Sequence, residues 1–223
     1  TTDGAYDRTY HGGYDLFVSR FSSDLKTLEA STYFGGAGTD YLYSMALDSA
    51  GYVYLAGATS SNDFPIISGA FQAVYQGGEY DGFVAKLSGD LSTLLASTFL
   101  GGSGTDQPAS LILDSSFNIY LTGTTSSADF PITPGAYSQV YKGGYDVFVA
   151  GLSNSLNSLL ASTYIGGGDY DIGSALVLGD AYLIPGSIRT PFSSQTRTTA
   201  GYSKIRSERK SSGKLAAKRQ AEA

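Results

Sequence analysis

One stretch of this chain is used twice. Residues 31–65 read STYFGGAGTDYLYSMALDSAGYVYLAGATSSNDFP, and residues 97–131 read STFLGGSGTDQPASLILDSSFNIYLTGTTSSADFP. The offset is 66 residues with no gap. A third, decaying copy opens at Ser162 with STYIGGGDYD. An internal repeat of this period constrains the architecture more than any single motif. Each copy is one supersecondary unit whose apolar faces must be covered by its neighbours.

Within each copy, strand signals alternate with turn signals. Tyr14–Phe21 reads as a strand, Ser22-Ser23-Asp24 as a turn, and Leu28–Phe34 as the partner strand of a hairpin. Leu42–Leu47 and Tyr52–Ala58 are two apolar strands joined by Asp48-Ser49-Ala50-Gly51. An Asp opening a tight turn accepts backbone N–H bonds, and a Gly supplies positive φ at its end. The second copy has Asp114-Ser115-Ser116-Phe117-Asn118 there. Asn118 is expected to take the left-handed position, which Asn tolerates better than most residues. The connection from Thr59 to Tyr80 carries Phe64-Pro65, matched by Phe130-Pro131. A recurring Phe-Pro reads as an aromatic plug under a rigid bend. Residues Ala70–Tyr75 and Ala136–Tyr141 are expected to form a helical turn. Strands then follow over Gly82–Leu87 and Leu94–Leu100, and over Val147–Leu152 and Leu159–Ile165. Glu79 is a one-residue insertion, so the next offset is 65. Residues 1–13 read as polar and irregular.

The unit is therefore four sequentially antiparallel strands per 65 or 66 residues. Runs such as Val53-Tyr54-Leu55 and Leu111-Ile112-Leu113 lack in/out alternation, as strands buried on both faces do. Four-stranded sheets stacked face to face around an axis satisfy these facts, and that is a β-propeller. The expected boundaries are the second half of a blade in 1–36, whole blades in 37–102 and 103–167, a partial, degenerate blade in 168–203, and a basic, disordered tail in 204–223. Two half units and two whole ones amount to three blades, too few for a ring. The expectation is an open arc with an uncovered sheet face at each end, completed by missing blades of a parent chain or by self-association.

The composite pattern STYxGGxGxD, an apolar strand, DxxG, xVYxxG, TxSxxFP and GGxDxFV resembles the bacterial SBBP, or "seven-bladed β-propeller", repeat. The resemblance covers residues 11–178. It implies an all-β propeller array in an exported or cell-surface protein, used as a non-catalytic binding or scaffold platform. The family's usual DxxGN is split here: one copy keeps Gly51 without Asn, the other Asn118 without Gly.

Charge narrows the class of partner. Residues 1–196 hold 6 Lys+Arg against 18 Asp+Glu, a balance of −12, whereas residues 197–223 hold 8 against 2, a balance of +6. An acidic body disfavours nucleic acid, and a protein or glycan ligand is expected instead. No apolar run approaches the roughly 20 residues that span a bilayer. There is no cysteine, hence no disulfide framework and no thiolate metal site. The chain opens at Thr1 without a charged-then-apolar leader and reads as a processed or excised piece of a longer protein.

Few residues suggest chemistry. His11 is the one histidine, and no G-x-S-x-G elbow accompanies it, so no catalytic residue is assigned. Asp40, Asp106 and Asp171 close Gly-rich turns, Asp48 and Asp114 open hairpins, and Asp15, Asp81 and Asp146 precede strands. Carboxylates in Gly-rich loops are Ca²⁺ ligands elsewhere. Asp40, Asp48, Asp106 and Asp114 are therefore the candidate Ca²⁺ ligands. Their recurrence in every unit, without an EF-hand pattern, favours turn capping and no cofactor. The Gly pairs at 35–36, 101–102 and 166–167 precede no Lys-Ser/Thr and read as tight turns. Tyr33, Tyr54, Tyr120 and Tyr164 are expected to pack between blades, while Tyr41 and Tyr75 are candidates for sugar or peptide contact. The rival readings are a propeller hydrolase or lyase using clustered acids, and a purely structural surface spacer.

Overall fold

The structure is a computed structural model and describes residues 1–179 and 185–187. All regular structure among these residues is β. The first sheet pairs β1 (Leu16–Phe21) with β2 (Leu28–Phe34). The second orders β3 (Asp40–Leu47), β4 (Val53–Thr59), β5 (Asp81–Leu87) and β6 (Leu94–Leu100) consecutively. The third repeats this with β7 (Asp106–Leu113), β8 (Ile119–Thr125), β9 (Asp146–Leu152) and β10 (Leu159–Ile165). A fourth sheet pairs β11 (Ile172–Gly173) with β12 (Gly186–Ser187). Every ladder is antiparallel. These are propeller-type blades, and the expected strands fall within two residues of the observed ones.

Stacking follows from the strand sequences. β4 is Val-Tyr-Leu-Ala-Gly-Ala-Thr and is buried along its whole length, because both its faces meet apolar surface. One core cluster joins Leu16, Val18 and Phe34 of the first sheet to Leu55, Phe83 and Phe99 of the second. The other joins Tyr54 and Val84 of the second to Leu111, Leu121 and Phe148 of the third. Phe64 sits in the first cluster with its ring 5.0 Å from Phe34 and 4.4 Å from Phe83. Phe130 is stacked on Phe148 at 4.6 Å. Both Phe-Pro plugs are buried, as their recurrence led one to expect.

Several readings need correcting. Residues Ala70–Tyr75 and Ala136–Tyr141 form no helical turn. Each is an irregular strap lying along the last strand of its sheet. Gln72 accepts at its carbonyl from the Phe99 amide (3.0 Å) and donates its own amide to Thr98 Oγ1 (2.9 Å). Ser138 repeats both bonds on Tyr164 and Thr163. Helical backbone would have turned these groups inward and left the strand edge unpaired. Residues 1–13 are the same strap in an earlier copy: Asp7 makes the two bonds on Tyr33 and Thr32. Thr1–Asp15 aligns with Ile132–Asp146, an alignment visible in the sequence and missed there. The left-handed residue of the second hairpin is Phe117 (φ 61°), not Asn118. Asp114 fixes the turn by accepting from the Ser116 and Asn118 amides and from the Asn118 side chain, which leaves position 117 where Gly51 stands. Tyr54 is buried, but Tyr120 is half-buried: among the described residues, no strands matching β9 and β10 cover it. The predicted tail of 204–223, and residues 180–184 and 188–203, lie outside the described residues.

Candidate binding cleft and aspartate junctions

Each sheet meets the next at a pair of aspartates. Asp15 and Asp40, Asp81 and Asp106, and Asp146 and Asp171 are each 25 positions apart. The first of each pair opens or immediately precedes the third strand of a blade, and the second opens or immediately precedes the first strand of the next. Both carboxylates converge on one glycine. A Cβ on Gly101 would lie 2.8 Å from Asp106 Oδ2 and 2.8 Å from Asp81 Oδ1. Gly35 and Gly166 are enclosed in the same way. A glycine is required at this point because the carboxylates occupy the space of a side chain.

In the first two pairs the second aspartate is well supplied with donors. Asp106 accepts from Thr125 Oγ1 (2.5 Å), Ser127 Oγ (2.8 Å) and the Gly102 amide (2.8 Å). Asp40 accepts from Thr59, Ser61 and the Gly36 amide in the same way. The first aspartate is not so well supplied. Asp81 Oδ2 accepts from the Gln76 amide (2.5 Å), while its Oδ1 is buried without a partner. Asp15, Asp146 and Asp171 each bury an unpartnered Oδ1 as well. Burial pushes Asp81 up to about 7, against the Gln76 amide and with reinforcement from Asp106 and Asp129. Burial likewise raises Asp40, Asp106 and Asp146, and the donors around each oppose it.

The four candidate calcium ligands divide between two environments. Asp40 and Asp106 sit in the junctions. Asp48 and Asp114 cap hairpins at the far end of the strands, Asp48 accepting from the Ala50 (2.9 Å) and Tyr52 (3.0 Å) amides. Among the described residues, no three acidic or histidine side chains group as a metal site. His11 Nε2 lies 2.6 Å from Asp7 Oδ2, and that bond raises its pKa. Tyr41 is exposed and stacks on Tyr14 and Tyr43. Tyr75 is half-buried against Phe99, and its hydroxyl donates to the Gly78 carbonyl (3.1 Å).

A cleft of about 540 Å³ opens between the second and third sheets, among their hairpin ends. Tyr52, Lys86, Asn118, Ser153, Asn154 and Ser155 contribute to its lining. Lys86 Nζ lies 4.7 Å from the Tyr52 ring centre and 4.9 Å from that of Tyr54, within cation–π range. It donates to Asn154 Oδ1 (2.7 Å), which also accepts from the Tyr54 hydroxyl (2.9 Å). Asp48 Oδ2 lies 3.0 Å from the same hydroxyl and competes with Asn154 for its one proton. Burial lowers the Lys86 pKa, which nearby Asp48 opposes, and burial raises that of Tyr54. The side chains here break the repeat. Lys86 aligns with Arg20 and Gly151, and Asn154 with Ser23 and Gly89. A search for recurring residues passes over such positions, and a lysine inside an apolar strand was the signal for them.

The family model for the SBBP repeat, described as a beta-propeller repeat, matches residues 31–65 and 97–131. The chain carries two SBBP repeats. No curated protein matches the chain. Each SBBP repeat runs from the last strand of one sheet, through the junction aspartate, to the Phe-Pro plug over the next. The repeated unit thus straddles two blades, and its Ser, Thr and Asp residues include the network around Asp40 or Asp106.

Proposed function

We propose that this chain is a non-catalytic β-propeller repeat module of an exported or cell-surface protein, acting as a binding and scaffold platform. The observation that carries the reading is the cleft at Lys86, where one-off polar side chains gather on an otherwise repeated frame. Its aromatic floor, two amides and several hydroxyls suit a polyhydroxylated ligand such as a glycan. Lys86 is held by Tyr52, Tyr54 and Asn154 before any ligand arrives, so little side-chain freedom would be lost on binding. The rival hydrolase or lyase reading needs acids facing a substrate. The junction acids instead face a glycine backbone inside the protein, which favours a structural role. A glycan array followed by titration calorimetry tests the reading. Lys86→Ala and Asn154→Ala should each weaken a bound glycan by about tenfold, equivalent to about 1.4 kcal/mol. Unchanged affinity in both variants, or no glycan bound by the parent chain, would leave the spacer reading in its place.

A further inference from the structure

A cation crosses from the first sheet to the second, and another from the second to the third, at matching places. Arg20 of β1 donates from Nη1 to the carbonyl of Gly89, in the turn between β5 and β6 (2.5 Å). Lys86 of β5 donates to Oδ1 of Asn154, in the turn between β9 and β10 (2.7 Å). Arg20 aligns with Lys86, and Gly89 with Asn154. The next member of the cation series is Gly151, where an added Cβ would meet the Tyr120 ring at 2.6 Å.

The two cations differ in how their charge is met. Arg20 Nε lies 3.0 Å from Glu29 Oε2. Glu29 is the bulge residue of β2: the ladder pairs Arg20 with Ala30 and Phe21 with Leu28, and Glu29 falls between. The same bulge recurs in β6. Lys86 pairs with Ala96 and Leu87 with Leu94, and Leu95 falls between. A leucine thus replaces the acid beside the cation. Among the described residues, no carboxylate lies within ion-pair distance of Lys86 Nζ. Asp48 acts on Lys86 electrostatically, but its oxygens are already engaged. Its Oδ1 accepts from the Ala50 and Tyr52 amides, and its Oδ2 faces the Tyr54 hydroxyl. A half-buried ammonium without a counter-ion is costly to hold, and a ligand that brings a carboxylate removes that cost.

We propose that the cleft at Lys86 takes an acidic glycan, whose carboxylate sits beside Lys86 as the Glu29 carboxylate sits beside Arg20. This rests on the glycan reading above and narrows it to oligosaccharides that carry uronic acids. The rest of the lining suits the sugar that bears the acid. Tyr52 is 38% exposed and Leu95 40% exposed, so an aromatic ring and an aliphatic side chain are both open to the apolar face of a pyranose. Asn154 Oδ1 accepts from Lys86 and Tyr54, which leaves its Nδ2 to donate. The Ser155 hydroxyl stands in the same lining. Donors of this kind are what a carboxylate and ring oxygens require. The body of the chain is acidic, but screening at physiological salt confines its repulsion to about 8 Å, so the groups inside the cleft decide.

An array of neutral and uronic-acid-bearing oligosaccharides, probed with the 223-residue chain, gives the first readout. Titration calorimetry then compares each bound acidic oligosaccharide with its methyl ester, which keeps the ring and removes the charge. The acid should bind at least about tenfold more tightly, the scale of one charge-assisted hydrogen bond. Lys86→Gln should erase that preference, and Lys86→Arg should retain it. Leu95→Glu restores an internal acid and should erase the preference too. Leu95 is exposed and the matching bulge in β2 already carries Glu29, so this variant should keep the parent's circular dichroism and melting temperature. Equal affinity for acid and ester, or binding of neutral glycans alone, would overturn the acidic assignment and leave the glycan reading standing. An acidic peptide such as oligoglutamate bound more tightly than every glycan, or no glycan bound at all, would overturn both.

Discussion

Asp81 shows how far burial controls a single residue in this protein. Its free Oδ1 and the neighbouring Asp106 both disfavour the charged form, and the folded-state pKa rises to about 7. The unfolded value is about 3.9. A raised folded pKa means that the folded chain binds a proton which the unfolded chain releases. The stabilisation is complete below about pH 4 and is lost as pH rises through about 7. Urea midpoints should therefore fall between pH 5 and pH 8, and Asp81→Asn should flatten that dependence. A parent midpoint that rises over this range would contradict the assignment. The residues of these pairs were legible in the sequence as recurring aspartates, and turn capping was read from them. Their convergence was hidden, because it depends on which strands abut. The spacing of 25 was present but has no meaning without the stacking.

At the scale of elements, strands and hairpins were legible because each carries its own local pattern. The connections were not. Ala70–Tyr75 has helix-tolerant composition, but its amides and carbonyls find better partners on β6, so tertiary pairing overrides local preference. Gln72 also clasps Gly101 from both sides, Nε2 to its carbonyl (3.0 Å) and Oε1 from its amide (2.9 Å). Gln72→Ala should cost about 1–3 kcal/mol by leaving those groups unpaired, as measured by chemical denaturation. A loss below a few tenths of a kcal/mol would make the clasp incidental. Phe130 locks the matching connection. Phe130→Ala should cost about 3–5 kcal/mol, the range for removing a buried aromatic ring. A measured loss under about 1 kcal/mol would show that the bend holds without its plug.

For the molecule as a whole, the sequence disclosed the architecture, because a gapless repeat leaves few ways to cover apolar faces on both sides of a strand. The cleft at Lys86 was not disclosed, since it draws on Asn118 and Asn154 of the next sheet, brought there by stacking alone. The same stacking bears on metal dependence. Asp40 and Asp106 take their donors from hydroxyls and amides, so melting temperatures should coincide with chelator and with millimolar Ca²⁺. A large rise with Ca²⁺ would identify a site, because a ligand bound to the folded state must stabilise it. The junction amides have a further consequence. The Gly36, Gly102 and Gly167 N–H groups belong to turns outside any strand, yet each is held by a carboxylate of the next strand in a sealed contact. In deuterated solvent, ordinary turn protons are replaced quickly. These three should persist as long as those of the central strands, and each should be released when its own pair of sheets parts. Their separate decay rates would report, seam by seam, the order in which the stack comes open.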